Sequence, residues 1–165
     1  MSSIRSSHSY SVTCVDYNPN RPDFLCSGGQ DAAIKFWDLR FPKVPYESEG
    51  GAERILEGHD HWLRSVRYNR FHDQLVCSGG TDHAVNLWRV SSVSSAPLLK
   101  LTDDDPDSRP ENLPDIRVDK FEDHDESVMG VEWSAADAWC FASVAWDGKV
   151  VINHVESEEK YRILL

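Results

Sequence analysis

Apolar and polar side chains alternate in short bursts along this chain, and the bursts recur in the same order three times. Val15 and Tyr17, Val66 and Tyr68, and Val131 and Trp133 stand two residues apart, which puts each pair on one face of a strand. Each pair is followed by an apolar triplet, Phe24-Leu25-Cys26, Leu75-Val76-Cys77 or Cys140-Phe141-Ala142, as in a strand buried on both faces. Gly28-Gly29, Gly79-Gly80 and Gly148 mark the turn that comes next. A third alternating run holds Ile34 and Phe36, Val85 and Leu87, or Val150 and Ile152, with Trp37 and Trp88 on the opposite face. A fourth strand is predicted at Arg54-Ile55-Leu56 and at Arg117-Val118-Asp119-Lys120-Phe121. No stretch sustains the helical period of about 3.6, so almost no helix is expected.

The three units align by simple shifts. The first, H-S-Y-S-V-T-C-V-D-Y-N from His8, becomes H-D-H-W-L-R-S-V-R-Y-N after 51 residues, at His59, and H-D-E-S-V-M-G-V-E-W-S after a further 65, at His124. A histidine precedes an aspartate by 23 residues in every unit: His8 and Asp31, His59 and Asp82, His124 and Asp147. Four short strands per unit, apolar on both faces, describe the blade of a β-propeller, which must be sandwiched between neighbours. The expected fold is therefore all-β: three four-stranded antiparallel blades at about 8–57, 59–122 and 124–165, with a flexible acidic insert at about 91–115.

These residues resemble the WD-repeat family: the histidine, the Ser-Gly-Gly-x-Asp turn and the Trp37-Asp38 pair. The likeness covers about 150 residues. Unit three departs from it, with Asn153-His154 in place of Trp-Asp. The resemblance implies that His, Ser, Asp and Trp form a buried structural hydrogen-bond network: His8, Ser27, Asp31 and Trp37; His59, Ser78, Asp82 and Trp88; and His124, Ser143 and Asp147. A narrower likeness is carried by H-S-Y-S-V, D-Y-N-P-N, K-F-W-D, H-W-L-R-S-V-R-Y-N, H-D-Q-L-V, the D-D-D insert, H-D-E-S-V and K-Y-R-I-L-L. These segments look like the C-terminal part of the EARP and GARP complex-interacting protein family. That resemblance implies a non-catalytic adaptor for vesicle-tethering complexes, cytoplasmic and peripheral at endosomes and the trans-Golgi network, in endosomal recycling and endosome-to-Golgi transport. Closed propellers have about 4–8 blades, and three cannot close because both end blades would expose an apolar face. The chain is expected to be the C-terminal piece of a larger, seven-bladed ring, with the other blades supplied by a longer chain.

Charge narrows the partners. The net charge of −11 argues against nucleic acid and against electrostatic docking on anionic lipid. Between Thr102 and Glu126 eleven acids face three bases, which places −8 of that total in one stretch. No apolar run approaches the roughly 20 residues of a spanning helix, and the N-terminus lacks a secretory core. Cys14, Cys26, Cys77 and Cys140 form no C-x-x-C pair and lie in strand-like segments, so neither a disulfide framework nor a zinc site is expected. No cofactor is implied.

The recurring Ser, His and Asp also match the residue types of a hydrolase triad. Three copies at structural positions favour the network instead, because a hydrolase needs one exposed site beside an oxyanion hole. Trp37-Asp38-Leu39-Arg40 resembles the Trp-Asp-x-Arg motif by which WD-repeat substrate receptors dock on a cullin-RING ligase adaptor. Arg40 would offer a planar fork of donors, and the competing reading is a local Asp38–Arg40 pair. Asp103-Asp104-Asp105-Pro106-Asp107 lacks the ligand alternation, glycine and final glutamate of a calcium loop. Aromatic residues and arginine dominate interface hot spots. Trp62, Arg64 and Arg67, with Tyr46, His61 and Trp139, are therefore candidates for a protein-binding rim, and Trp62 leads them.

Overall fold

The computed structural model describes residues 3–40, 52–96 and 113–165. Its strands form three antiparallel sheets in which each strand pairs with its neighbour in the chain. The first sheet runs β1 (Val12–Tyr17), β2 (Phe24–Gly29), β3 (Ala33–Asp38), β4 (Arg54–Glu57). The second runs β5 (Leu63–Tyr68), β6 (Leu75–Gly80), β7 (Val85–Arg89), β8 (Ile116–Phe121). The third holds β9 (Val128–Trp133), β10 (Cys140–Ala145) and β11 (Val150–His154). The loop after each first strand is tied by the same device. Asn18 Oδ1, Asn69 Oδ1 and Ser134 Oγ each accept from the backbone N–H groups two and three residues on.

Two details differ from the sequence expectation. The third sheet has three strands among the described residues where four were expected. After β11 the chain forms α1 (Ser157–Leu164), where almost no helix was expected. At eight residues, α1 is too short to display an apolar period. Local chemistry supports it instead. Glu158 and Glu159 lie in its first turn and Arg162 in its last, which complements the helix dipole. Glu158 and Arg162 pair at 2.8 Å across one turn. Glu159 also reaches Arg89 of β7, 3.0 Å away and buried with it, which fixes α1 against the second sheet.

The sheets stack face to face. Cys26, Ile34, Phe36 and Leu56 of the first meet Val66, Tyr68, Val76 and Trp88 of the second. The opposite face of the second sheet, with Cys77, Val85 and Leu87, meets Val131, Trp133 and Phe141 of the third. Close approach depends on two glycines. A Cβ on Gly28 would lie 2.7 Å from Cys14 Sγ and 3.2 Å from Leu63 Cβ, and one on Gly79 would lie 2.6 Å from Val128 Cγ1. The third sheet carries Val144 at the matching position, exposed on its outward face. The turn before each third strand needs a left-handed residue: Ala32 at φ 61°, His83 at φ 66° and Gly148 at φ 77°. Only the last is the residue type that adopts this conformation freely.

Repeat-equivalent residues show what stacking does. Tyr17 is 58% exposed, whereas its counterpart Tyr68, covered by the first sheet, is 3% exposed. Ile152 is 56% exposed, whereas its counterpart Leu87, covered by the third sheet, is 1% exposed. The outward faces of the first and third sheets, with Val15 and Tyr17 on one and Val150 and Ile152 on the other, are thus unpartnered among the described residues. Full burial of such a side chain contributes about 1.5–3 kcal/mol. Leu87→Ala is expected to lower stability by about 2–5 kcal/mol, and Ile152→Ala by about 0.5 kcal/mol or less. Urea unfolding measures both, and equal losses would contradict burial by the neighbouring sheet.

Candidate functional site

The most regular cluster of polar side chains is built three times. A histidine precedes the first strand, a serine lies within the second, and an aspartate sits in the turn between the second and third. In unit one, His8 Nδ1 lies 2.7 and 3.0 Å from the two carboxylate oxygens of Asp31, and His8 Nε2 lies 2.8 Å from Ser27 Oγ. Trp37 Nε1 donates to the same Ser27 oxygen at 2.9 Å. Unit two repeats this: His59 to Asp82 at 3.0 and 2.9 Å, His59 to Ser78 at 2.8 Å, and Trp88 to Ser78 at 2.8 Å. Unit three joins His124 to Asp147 at 3.0 Å and to Ser143 at 2.9 Å. No indole reaches Ser143, because Asn153 occupies the tryptophan position; its Nδ2 is buried without a partner among the described residues.

With Nδ1–H donating to the carboxylate, Nε2 accepts from the serine hydroxyl, whose oxygen accepts the indole N–H. Each aspartate also takes the backbone N–H after the histidine, from Ser9, Asp60 or Asp125. Burial lowers the His8 pKa from 6.5 despite the hydrogen bond and charge of Asp31, which act to raise it. Burial pushes the Asp31 and Asp82 carboxyls up, but hydrogen bonds from histidine and backbone N–H groups outweigh it and hold both below the usual 3.8. At Asp147 the same opposition, led on the lowering side by the Lys149 N–H, brings the value to about 2. At His8 a neutral imidazole is thus clamped between a carboxylate and a hydroxyl. Ser27, Ser78 and Ser143 are buried, each with its oxygen held by a histidine. The cluster ties the turn to the second strand and to the segment before the first, and in units one and two to the third strand as well.

The remaining candidates are dispersed. Asp38 and Arg40 bind each other through Arg40 Nε at 2.9 Å and Nη2 at 2.6 Å, at the end of β3. Trp62 and Arg64 lie together in a groove between the second and third sheets, with His61 stacked on Trp62 at 4.9 Å. Arg67 is not part of that groove. It lies toward the other end of β5, where it pairs with Glu132 of β9 at 3.1 Å and donates to Val66 O. Trp139 stacks on His72 at 4.6 Å and packs against the second core. Tyr46 and the aspartates of 103–107 lie outside the described residues. The ends of the acidic insert are tied together, since Asp115 accepts from Ser92 N at 3.0 Å and pairs with Arg54 at 2.7 Å. Burial pushes the Cys26 and Cys77 thiols well up, which keeps them protonated. Among the described residues no three His, Cys, Asp or Glu side chains converge as a metal site. Sequence reasoning missed Met129 and Trp146, which share the groove with Trp62. The available signal was that Trp146 stands where the other units have Gln30 and Thr81.

Comparison with known proteins places this architecture. Residues 1–88 match the EIPR1 beta-propeller family. The chain belongs to that family. Residues 116–152 also match the WD domain, G-beta repeat, so the family's repeat covers the third sheet despite its missing tryptophan. The EARP and GARP complex-interacting protein 1 of Rattus norvegicus is 42% identical over 98% of this chain and 42% of its own length. The EARP-interacting protein 1 of Caenorhabditis elegans is 34% identical over 98% of the chain and 44% of its own length. The WD repeat-containing protein DWA2 of Arabidopsis thaliana is 36% identical over 93% of the chain and 40% of its own length. The chain thus spans less than half the length of these relatives.

Two outcomes test the network. Ser78→Ala removes a partner from both His59 and Trp88 and is expected to cost about 2–4 kcal/mol, whereas Ser143→Ala removes one from His124 alone and costs about 1–2 kcal/mol. Urea unfolding separates them, and a larger loss at Ser143 would contradict the geometry. The pH dependence has two stages. The depressed pKa of His8 makes its contribution complete above 6.5 and lost as pH falls below that value. The depressed aspartates contribute fully above 3.8 and lose that contribution as pH falls toward their folded values, about 2 at Asp147. The urea midpoint should therefore drop first below pH 6.5 and again below 3.8; a flat profile down to 3.8 would contradict the neutral buried imidazole.

Proposed function

We propose that this chain is part of a non-catalytic WD-repeat adaptor that binds subunits of EARP- and GARP-type vesicle-tethering complexes. It would act as a cytoplasmic component peripheral to endosomes and the trans-Golgi network, in endosomal recycling and endosome-to-Golgi retrograde transport. The observation that carries this reading is similarity along 98% of the chain to relatives named for interacting with those complexes. The structure supports it indirectly. The polar residues that could be taken for a catalytic set occur in triplicate, hold turns in place, and are buried. Recognition is therefore assigned to surface residues, with Trp62 and Arg64 the foremost.

The expected result is that the tagged protein, carried with the rest of its chain, retains tethering-complex subunits in a pull-down probed with antibodies to those subunits. Absence of every subunit would overturn the proposal. A second reading, docking on a cullin-RING adaptor through Trp37-Asp38-Leu39-Arg40, would require the Arg40 fork to leave the Asp38 carboxylate that fills it. Arg40→Ala is expected to leave tethering-complex capture within about twofold of wild type, as for a surface substitution away from the contact. Loss of binding to a purified cullin-RING adaptor on the same substitution would instead support the second reading.

A further inference from the structure

The groove between the second and third sheets is furnished with residues that the repeat does not need. It is lined by His61, Trp62, Arg64 and Thr81 on one side and Ser127, Met129 and Trp146 on the other, and encloses about 360 Å³. At the position of Trp62 the other two units hold Ser11 and Ser127; at the position of Trp146 they hold Gln30 and Thr81. A smaller polar side chain than tryptophan therefore satisfies the fold at both places. Trp62 is 43% exposed and Trp146 is 75% exposed, so neither ring is placed to contribute much core burial.

Three further features organise the groove. β5 is bulged at Arg64, between the Leu63–Gly80 and Ser65–Gly79 pairs, and β9 is bulged at Met129, between Val128–Ala145 and Gly130–Val144. Bulges re-aim the side chain of the extra residue, and both of these residues line the groove. His61 stacks on Trp62 at 4.9 Å and is itself bonded to Thr81 Oγ1, which holds the Trp62 ring in place before any partner arrives. Arg64 is exposed and makes no ion pair among the described residues, in a chain whose net charge is −11. No carboxylate lines the groove.

We propose that this groove is a docking site for an extended peptide segment that presents an aromatic or large aliphatic side chain next to a carboxylate. The side chain would enter between Trp62 and Trp146 against Met129, where offset ring contacts and a polarizable thioether favour it. The carboxylate would take the Arg64 fork, which suits it in a bidentate pair. The charge of Arg64 disfavours the alternative occupant of an aromatic groove, an alkylated ammonium. The volume is at the lower end of the range for ligand pockets, about 300–1,000 Å³, and suits one or two side chains. This inference rests on the adaptor reading and gives the chemistry of the segment it would recognise.

The test is selection from a random peptide library on the purified protein, carried with the rest of its chain, with variants that borrow the repeat's own residues as counter-targets: Trp62→Ser, Arg64→Thr and Trp146→Thr. Peptides enriched on the wild type should combine an acidic residue with an aromatic or large aliphatic one. A synthetic peptide of the enriched sequence should bind each variant about tenfold more weakly or worse, with unchanged urea midpoints. Arg64→Glu should shift the selected peptides from acidic to basic. Enrichment of no peptide over the counter-targets, of basic peptides on the wild type, or of peptides that bind all three variants within about twofold would overturn the site. The two proposals fail separately. If Trp146→Thr still captures tethering subunits at wild-type level, the groove is not their site, while the adaptor reading stands. If the peptide motif holds but no tethering subunit is captured, the groove stands and its partner belongs elsewhere.

Discussion

A sheet that is apolar on both faces must be covered twice, and this requirement organises the molecule. The second sheet meets it fully, with the Val66, Val76 and Trp88 face against the first sheet and the Cys77, Val85 and Leu87 face against the third. The outer sheets each meet it once. The strands between Leu63 and Arg89 are therefore almost wholly buried, whereas Val15, Tyr17, Val150 and Ile152 are exposed despite occupying the same repeat positions. Gly28 and Gly79 allow the inner strand of the next sheet to come within van der Waals contact of the previous one. Val144 removes that allowance from the outward face of the third sheet. A sheet covering that face would have to seat differently from the two internal ones.

The polar networks serve the same stacking. Each turn carries a largely buried carboxylate, whose desolvation must be offset by hydrogen bonds. The histidine does this by bridging the aspartate to the serine, and in two units the tryptophan caps the serine from the next strand. In units one and two the glycine preceding the turn leaves the necessary room, since a Cβ on Gly80 would lie 2.6 Å from Asp82 Oδ1 and 2.8 Å from His59 Nδ1. In unit three Ala145 takes the place of that glycine, and His124 contacts one carboxylate oxygen where His8 and His59 contact two. The residue types of an acyl-transfer triad here hold a turn through hydrogen bonds, with the serine buried in each unit.

Most of this was legible because the fold is a repeat. The spacing of His8 and Asp31, the alternation in each first strand, and the two apolar faces of each unit all have direct structural counterparts. What was not legible depends on contacts between units or on segments too short for a pattern. Helix α1 rests on local charge and on a buried pair with Arg89, seventy residues away in the chain. Arg64 and Arg67 look alike in sequence, yet a bulge turns the first into a groove while Glu132 of the next sheet holds the second. Trp62 gains significance only when Trp146, from another unit, is placed opposite it.

If two-sided coverage governs this structure, local stability must peak in the middle sheet. Amide hydrogen exchange on the intact chain reads this strand by strand, since protection follows the free energy of local opening. The amides of β6 and β7 should exchange slowest, with β1 and β11 clearly faster although they belong to the same repeat. Equal protection across the three sheets, or slowest exchange in β11, would contradict the account.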